Sequence, residues 1–309
     1  MKLFELFVVS SIPVLKVLLI TAVGSILATD YVNLLGEDAR KYFNAIVFYV
    51  FNPSLIATNL AKTVTLDSII KLWFMPLNIL LTFIIGSAFG WIVIQLTRAP
   101  SHLRGLILGC CAAGNLGNML FIIIPAVCKE KGSPFGAPDV CYTFGMAYAS
   151  LSMAIVGFIV GVVPQIRKIL IGESAPLRVI QDSASLLSEA AIPVLTLIIG
   201  GNLLKGLKGG AGIKMSLIVG IIVVRYVLLP ISGVLIIKTA IRFGLIHSNP
   251  LYQFVLLLQY ALPPAMNIGT MTQLFGTGES ECSVIMLWTY ALASVSLTLW
   301  STLFMWLVS

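Results

Sequence analysis

The chain has 309 residues, of which 59% are hydrophobic and 10% are charged, and its formal net charge is +7. Soluble domains carry about 25% charged residues, so too few polar side chains are present to cover a water-facing globule. The 19 lysines and arginines are scattered singly or in pairs, and they form no basic stripe that would bind phosphates. The composition excludes a soluble enzyme and a nucleic-acid-binding module, and it predicts a polytopic membrane protein.

Continuous apolar runs of about 20 residues predict helices that cross the hydrocarbon core. Strands are excluded because the runs do not alternate between apolar and polar residues. Nine such runs occur, at residues 3–28, 41–62, 69–96, 104–127, 140–164, 185–204, 215–240, 251–275 and 283–308. The connections are short, which predicts one all-α bundle without a soluble domain. The first run holds Lys16 and lacks a cleavage site, so it is interpreted as a retained helix.

Two of the five cysteines flank a polar loop. Cys128 and Cys141 stand on either side of residues 129–140. They would form a disulfide if that loop faces an oxidising lumen, and otherwise they would be free thiols near a membrane surface. No pair of cysteines has the spacing of metal ligands, and no metal or cofactor is predicted. Lysine and arginine are spread evenly over alternate loops, so the positive-inside rule gives no orientation.

The fourth and eighth runs contain related motifs. The fourth run carries Gly-Asn-Leu-Gly-Asn-Met at residues 114–119, and the eighth carries Pro-Pro-Ala-Met-Asn-Ile-Gly-Thr-Met at residues 263–271. Both read Asn-(Leu/Ile)-Gly-x-Met and lie 152 residues apart. Asn-Leu-x-Lys likewise ends the second and sixth runs, at residues 59–62 and 202–205. This common order predicts a duplicated unit, and internal repeats are typical of secondary transporters.

The helix-breaking residues of these motifs point to an anion site. Pro263 and Pro264 remove two backbone donors, and Gly114 and Gly117 let the chain leave the helix at low cost. A break inside the membrane must face protein or a water-filled cavity. Where two broken helices cross, their half-helix N-termini attract an anion such as a carboxylate.

Amide side chains accompany the breaks. Asn115 and Asn267 would bind a carboxylate without the full desolvation cost of a buried cation. For a lone asparagine, hydrogen bonding between helices is the better explanation, but two in matching motifs beside helix breakers favour a substrate site. Gln259, one turn before the double proline, is a further candidate, with ordinary packing as its alternative. Asn52, beside a predicted kink at Pro53, could also approach the centre.

Charged and polar residues elsewhere in the runs carry weaker signals. Lys16, Glu189 and Arg225 lie within or near apolar runs, and an intramembrane charge is a functional hypothesis. A structural pair between Glu189 and Arg225 explains them equally well. Asn78 in the third run is predicted to bond between helices. No zinc-protease, serine-hydrolase or phosphate-loop motif is present, and no enzyme is predicted.

Several of these stretches resemble a known family. Residues 114–118 and the Ala-Leu-Pro-Pro-Ala-Met-Asn-Ile-Gly at residues 261–269 resemble the two crossover helices of the auxin efflux carrier family. Residues 123–132, 161–167 and 198–203 are similar, more narrowly, to the plant PIN-LIKES proteins. The likeness covers nearly the whole chain.

The resemblance implies an all-α membrane protein of ten helices in two inverted five-helix repeats, each with a broken fourth helix. It implies that indole-3-acetic acid, a carboxylate, moves by alternating access between a scaffold and a transport domain. It also implies residence in the endoplasmic reticulum membrane and a part in auxin homeostasis. Asn115, Asn267, Pro263 and Pro264 would form the central site.

The sequence departs from the family pattern at one place. Residues 141–155 resemble the start of the fifth helix and residues 156–172 the end of the sixth, so a hydrophilic loop and half of each helix are missing between them. Residues 1–155 are therefore interpreted as the first repeat and residues 156–309 as a second repeat that is shortened at its start. Matching runs then lie four spans apart, which gives a parallel repeat unless the junction is re-entrant.

Three functions are compatible with the sequence. The first is a secondary carrier of an aromatic carboxylate, driven by the anion gradient and the membrane potential. The second is a sodium-coupled organic-anion symporter of the related fold, for which uptake depends on sodium. The third is a truncated protein that binds its ligand without transporting it. The predicted partners are the lipid bilayer and a small carboxylate.

Overall fold

The computed structural model describes residues 3–51, 53–55, 58, 72–116, 118–130, 132–151, 178–208, 213–247, 249–275 and 278–309. These residues fold into helices, joined at one point by an isolated β-bridge. The helices are α1 Leu3–Leu27, α2 Glu37–Ile46, α3 Phe74–Thr97, α4 Arg104–Ala112, α5 Asn118–Lys129, α6 Pro138–Leu151, α7 Arg178–Lys208, α8 Met215–Val223, α9 Leu229–Arg242, α10 Pro250–Ala261, α11 Asn267–Phe275 and α12 Glu279–Val308. The predicted all-α class is confirmed.

Each of the nine apolar runs contains a described helix. Within the described part of the chain, five helices are long and apolar enough to cross a membrane: α1, α3, α7, the continuous α8–α9 and α12. The fourth and eighth runs are instead pairs of short helices, α4–α5 and α10–α11, with non-helical residues between them. The polytopic class is therefore confirmed. Helix α7 begins before its apolar run, because residues 178–184, which include charged and polar side chains, continue the helix beyond the hydrophobic stretch.

Helix α1 packs closely along α7 through small residues. A side chain at Gly24 would collide with the backbone of Leu197, and one at Gly200 would collide with the backbone of Thr21. The Ser25 hydroxyl donates to the Gly200 carbonyl oxygen at 2.8 Å. Small residues bring helix backbones together in membranes, where interhelical hydrogen bonds add to the packing.

Prolines explain where the long helices widen into π-helix. Residues Val224–Leu228 form a π-helical turn between α8 and α9. Pro230 has no N–H, so the carbonyl of Tyr226, four residues earlier, loses its helical donor. The indole of Trp300 on α12 donates to that carbonyl oxygen at 2.8 Å. The π-helical turn Val47–Phe51 after α2 likewise precedes Pro53.

Asn78 joins α3 to α10, which confirms the prediction that it bonds between helices. Its side chain is fully buried, and its amide donates to Gln259 Oε1 at 2.7 Å and to the Leu256 carbonyl oxygen at 3.1 Å. The Tyr260 hydroxyl donates to Asn78 Oδ1 at 3.0 Å. This network holds the first half of the eighth run against the third.

Cys128 near the end of α5 and Cys141 in α6 form a disulfide, with Cα atoms 5.5 Å apart. Of the two alternatives left open by the sequence, the structure has the disulfide. Next to it, Lys16 of α1 forms an ion pair with Glu130 at 3.8 Å. The predicted junction between residues 155 and 156, and with it the boundary between the two repeats, lies outside the described residues.

Candidate functional site

The two broken helices meet at their breaks. The segment between α4 and α5 runs antiparallel to the segment between α10 and α11, with a β-bridge between Gly114 and Pro264. The backbone N–H of Asn115 donates to the Pro263 carbonyl oxygen at 2.9 Å, and the backbone N–H of Ala265 donates to the Ala113 carbonyl oxygen at 2.9 Å. These two bonds satisfy backbone groups that would otherwise be unpaired inside the membrane. We call this pairing of residues 113–116 with residues 262–266 the crossing.

The local sequence explains each break. Leu262, which precedes the double proline, is extended, with φ −71° and ψ 146°, as is usual for a residue before proline. At the other break, Gly114 lies against the side chain of Arg225, whose Nη2 is 3.2 Å from where a Cβ would stand. A larger residue at 114 would therefore press against the guanidinium of Arg225.

Asn115 is held inside the crossing. Its side chain is 4% exposed, and its Nδ2 donates to the hydroxyl oxygen of Tyr290 at 3.0 Å. That hydroxyl in turn donates to the Pro264 carbonyl oxygen at 2.8 Å. Tyr290, on α12, therefore connects the asparagine of the first break to the backbone of the second.

Asn267 occupies a different position. It is the first residue of α11. Its side chain is exposed, and that side chain makes no hydrogen bond to another described residue. The N-terminus of α11 carries a partial positive charge. The amide of Asn267 is therefore available to a ligand at this helix end, whereas the amide of Asn115 already has a partner.

A cleft opens beside the crossing, between α2, α7, α11 and α12. Apolar side chains such as Leu195, Ile198 and Met286 form part of its walls, and its polar lining residues include Asn44, Asn202, Tyr290 and the carboxylate of Glu279. The Oδ1 atom of Asn202 is buried and has no hydrogen-bond partner among the described residues. Tyr290 links the cleft to the crossing, because it borders the one and bonds within the other.

The other candidates are distributed as follows. Pro263 and Pro264 form the second break itself. Gln259 is buried in the α3–α10 network, where its Nε2 lies 2.8 Å from the sulfur of Met75. Its surroundings are those expected if it serves in packing. Gly117 and Asn52 lie outside the described residues.

Sequence reasoning missed Tyr290 and Asn44. A tyrosine within an apolar run has no pattern that separates a structural role from a binding role. Asn202 was noticed only as part of the repeated Asn-Leu-x-Lys motif, which could have marked it as a candidate because the motif recurs at the same place in the second run.

Glu189 and Arg225 do not form the structural pair that the sequence left open as one alternative. Glu189 is exposed on α7, whereas Arg225 is 1% exposed and lies at the crossing, where its Nη2 donates to the Pro263 carbonyl oxygen at 3.3 Å. The ion pairs between described residues are elsewhere, at Lys16–Glu130 and Lys41–Glu37.

Comparison with known proteins identifies the family. The sequence profile described as "Membrane transport protein" matches residues 9–160 and 151–301. The chain is 52% identical to Protein PIN-LIKES 3 of Arabidopsis thaliana and 47% identical to Protein PIN-LIKES 4, each over the whole of both chains. It is 53% identical to Protein PIN-LIKES 1, over all of this chain and 81% of that protein.

The alignment with PIN-LIKES 3 spans 389 positions, more than the 309 residues of this chain, so that relative has residues without a counterpart here. The two profile matches meet at residues 151–160, where the sequence predicted a junction. The matched family consists of transporters rather than enzymes. The chain belongs to this membrane transport protein family and is a relative of the PIN-LIKES proteins.

Proposed function

We propose that the protein is a secondary carrier of an organic carboxylate, with indole-3-acetic acid as its substrate. The observation that carries this proposal is the crossing: two broken helices meet inside an apolar bundle, and two asparagines and a cleft accompany them. A break of this kind is costly in hydrocarbon, and a binding site for a polar group is a sufficient reason to keep it.

The crossing suits a carboxylate electrostatically. Helices α5 and α11 both begin at the crossing, and each N-terminus is equivalent to about half a positive charge. Asn267 offers an unengaged amide at the start of α11. Asn115 can offer its amide when the substrate replaces the hydroxyl of Tyr290. Because none of these groups carries a full charge, the anion can be released as well as bound, which a carrier requires.

The cleft suits an aromatic ring. Its apolar side, formed by residues such as Leu195, Ile198 and Met286, would bury a planar apolar group. An aromatic carboxylate would thus place its ring in the cleft and its charge at the crossing. Gly114, Pro263 and Pro264 shape the site through the backbone in this proposal, and Gln259 supports it from the α3–α10 interface; Gly117 and Asn52, the remaining candidates, lie outside the described residues.

The disulfide supports a location in a membrane with one oxidising face. Disulfides persist in the lumen of the endoplasmic reticulum and outside the cell and are rare in the cytosol. We place the loop at residues 129–140 on the lumenal side of the endoplasmic reticulum membrane. From there the carrier would contribute to cellular auxin homeostasis by moving auxin between lumen and cytosol.

The proposal is tested by uptake of radiolabelled indole-3-acetic acid into proteoliposomes of the 309-residue chain, with and without sodium. A carrier gives saturable uptake that does not depend on sodium. Uptake only in the presence of sodium would replace the proposal with the sodium-coupled symporter. Saturable binding without uptake would mean that this chain is a binding protein. Absence of both would overturn the assignment of the substrate.

A further inference from the structure

Arg225 is an almost fully buried cation in the middle of a membrane helix. It lies in the π-helical turn Val224–Leu228, between the long apolar segments α8 and α9, and is 1% exposed. A charged side chain at this depth is costly and is usually retained for a function. Glu189, which the sequence offered as one possible partner, does not pair with it, so its presence needs another explanation.

No carboxylate among the described residues neutralises this charge. The titratable groups that act on the guanidinium belong to Cys110, Cys111, Tyr226 and Tyr290, and thiols and phenols are ordinarily uncharged at neutral pH. Its Nη2 has one backbone acceptor, the Pro263 carbonyl oxygen, and its buried Nε has no hydrogen-bond partner. The positive charge is therefore balanced by backbone dipoles alone within the described part of the chain.

The position of the guanidinium matches the polarity of the crossing. Helices α4 and α10 both end there, at Ala112 and Ala261, and a helix C-terminus carries a partial negative charge. Arg225 lies against the residues that follow these two ends, because it contacts Gly114 and bonds to Pro263. Helices α5 and α11 begin after the same two breaks, so the crossing also carries two positive helix ends.

The neighbour of Arg225 is anchored to the helix that carries Tyr290. The Tyr226 hydroxyl donates to the Thr289 carbonyl oxygen at 2.6 Å, and Trp300 donates to the Tyr226 carbonyl oxygen at 2.8 Å. Since Thr289 precedes Tyr290, α12 fixes both the arginine and the tyrosine with respect to the crossing.

We propose that Arg225 is the positioning residue of the anion site: it holds the carbonyl side of the crossing and supplies the positive charge that makes the site select anions over neutral analogues. This inference rests on the proposed function. Arg225 acts through the crossing and needs no contact with the substrate. The positive charge of Arg225 accounts for how a site with two uncharged asparagines can attract an anion into an apolar bundle.

The test compares an acid with its matched amide. Binding of radiolabelled indole-3-acetic acid is competed with unlabelled indole-3-acetate and with indole-3-acetamide, which has the same ring and no charge. The variants are Arg225→Gln, Arg225→Met, Arg225→Lys and, as a control, Arg242→Gln, which removes the same charge from the exposed end of α9. The Met variant matters because replacing a buried charge by an apolar side chain of similar size is often tolerated.

Wild-type protein is expected to prefer the acid. Arg225→Gln and Arg225→Met should each weaken acid binding about tenfold, equivalent to about 1.4 kcal/mol, with less than about twofold change for the amide. Arg225→Lys should keep most of the preference because it keeps the charge, and Arg242→Gln should match wild type. Thermal unfolding of each variant separates loss of fold from loss of selectivity.

If a folded neutral variant keeps the wild-type ratio of acid to amide affinity, Arg225 is structural and the inference is wrong while the proposed function stands. A folded Arg225→Lys protein that loses the whole preference would also contradict it. If wild-type protein itself does not distinguish acid from amide, the proposed carboxylate function fails, and this inference fails with it.

Discussion

The two breaks carry the same Asn-(Leu/Ile)-Gly-x-Met motif but differ in construction. The first depends on Gly114, which leaves room for the guanidinium of Arg225, and its Asn115 is buried and bonded to Tyr290. The second depends on two prolines, and its Asn267 is exposed and unbonded among the described residues. The breaks also lie at different places relative to the motif, because α5 begins three residues after Asn115 whereas α11 begins at Asn267 itself.

The difference continues beyond the breaks. The half-helix that follows the first break, α5, is joined to α6 by the disulfide between Cys128 and Cys141. The half-helix that follows the second, α11, precedes α12, where Cys282 is a free thiol. We therefore interpret the first break as a fixed element and the second as an adaptable one. A change at Asn115 reaches α12 directly, because Asn115 bonds to Tyr290, whereas Asn267 has no such bond among the described residues.

The largest effect is expected from removing the covalent link that distinguishes α5 from α11. Cys128→Ser opens a loop of 13 residues' separation and should lower the free energy of unfolding by about 3 kcal/mol. Reduction should shift the gel mobility of wild-type protein and leave this variant unchanged. Cys282→Ser leaves the disulfide in place, so it is the control, and its mobility should still shift on reduction. If wild-type mobility does not respond to reduction, the proposed contrast between α5 and α11 is lost.

The effect of an added side chain on stability should also differ between the two motifs. Gly114→Val forces a side chain against Arg225 and should cost about 1–3 kcal/mol of stability. Gly269→Ala in α11 meets nothing within 4 Å and should leave stability unchanged or raise it by up to about 1 kcal/mol. Thermal unfolding in the same detergent measures both. Equal losses would show that the breaks are equally rigid.

The Tyr290 hydroxyl provides a third comparison, because it bonds to both breaks. Tyr290→Phe removes its bonds to Asn115 and Pro264, and leaving these buried groups unsatisfied should cost about 1–2 kcal/mol. Tyr142→Phe, on the exposed side of α6, is the control and should be within about 0.5 kcal/mol of wild type. A Tyr290→Phe protein as stable as wild type would mean that the tyrosine does not hold the crossing together.

The smallest effects concern stability after truncation of the two asparagines. Asn115→Ala should cost about 0.6–2 kcal/mol, the usual range for a hydrogen bond between membrane helices. Asn267→Ala should change stability by less than about 0.5 kcal/mol because its side chain is exposed. Unfolding curves of the two variants measure the difference, and the reverse order would invert the assignment of the fixed and adaptable breaks.

Much of the fold follows from the sequence because apolar runs and helix breakers are local signals. The nine runs, the Asn78 bridge and the unwound segments at residues 114 and 263 could all be predicted from residue type and spacing. The disulfide was one of two open alternatives, since its formation depends on the three-dimensional approach of α5 and α6.

The environment of the site could not be predicted. The roles of Tyr290 and Arg225 arise from contacts between residues that are far apart in the chain, such as Arg225 with Pro263. A single sequence carries no signal for such pairs, which is why pairing of Arg225 with Glu189 could only be offered as an alternative on charge alone. The unequal burial of Asn115 and Asn267 was hidden for the same reason, because identical motifs give identical local signals.

The most direct measurement is equilibrium binding of radiolabelled indole-3-acetic acid to wild-type protein, Asn115→Ala and Asn267→Ala. Asn249→Ala is the control, because it removes the bond that caps α10, costs about 1 kcal/mol of stability and leaves the crossing intact. The account predicts that Asn115→Ala and Asn267→Ala each lose about tenfold or more in affinity, about 1.4 kcal/mol, while the control binds like wild type. Affinities of Asn115→Ala and Asn267→Ala equal to that of the control would contradict the claim that the crossing binds the substrate.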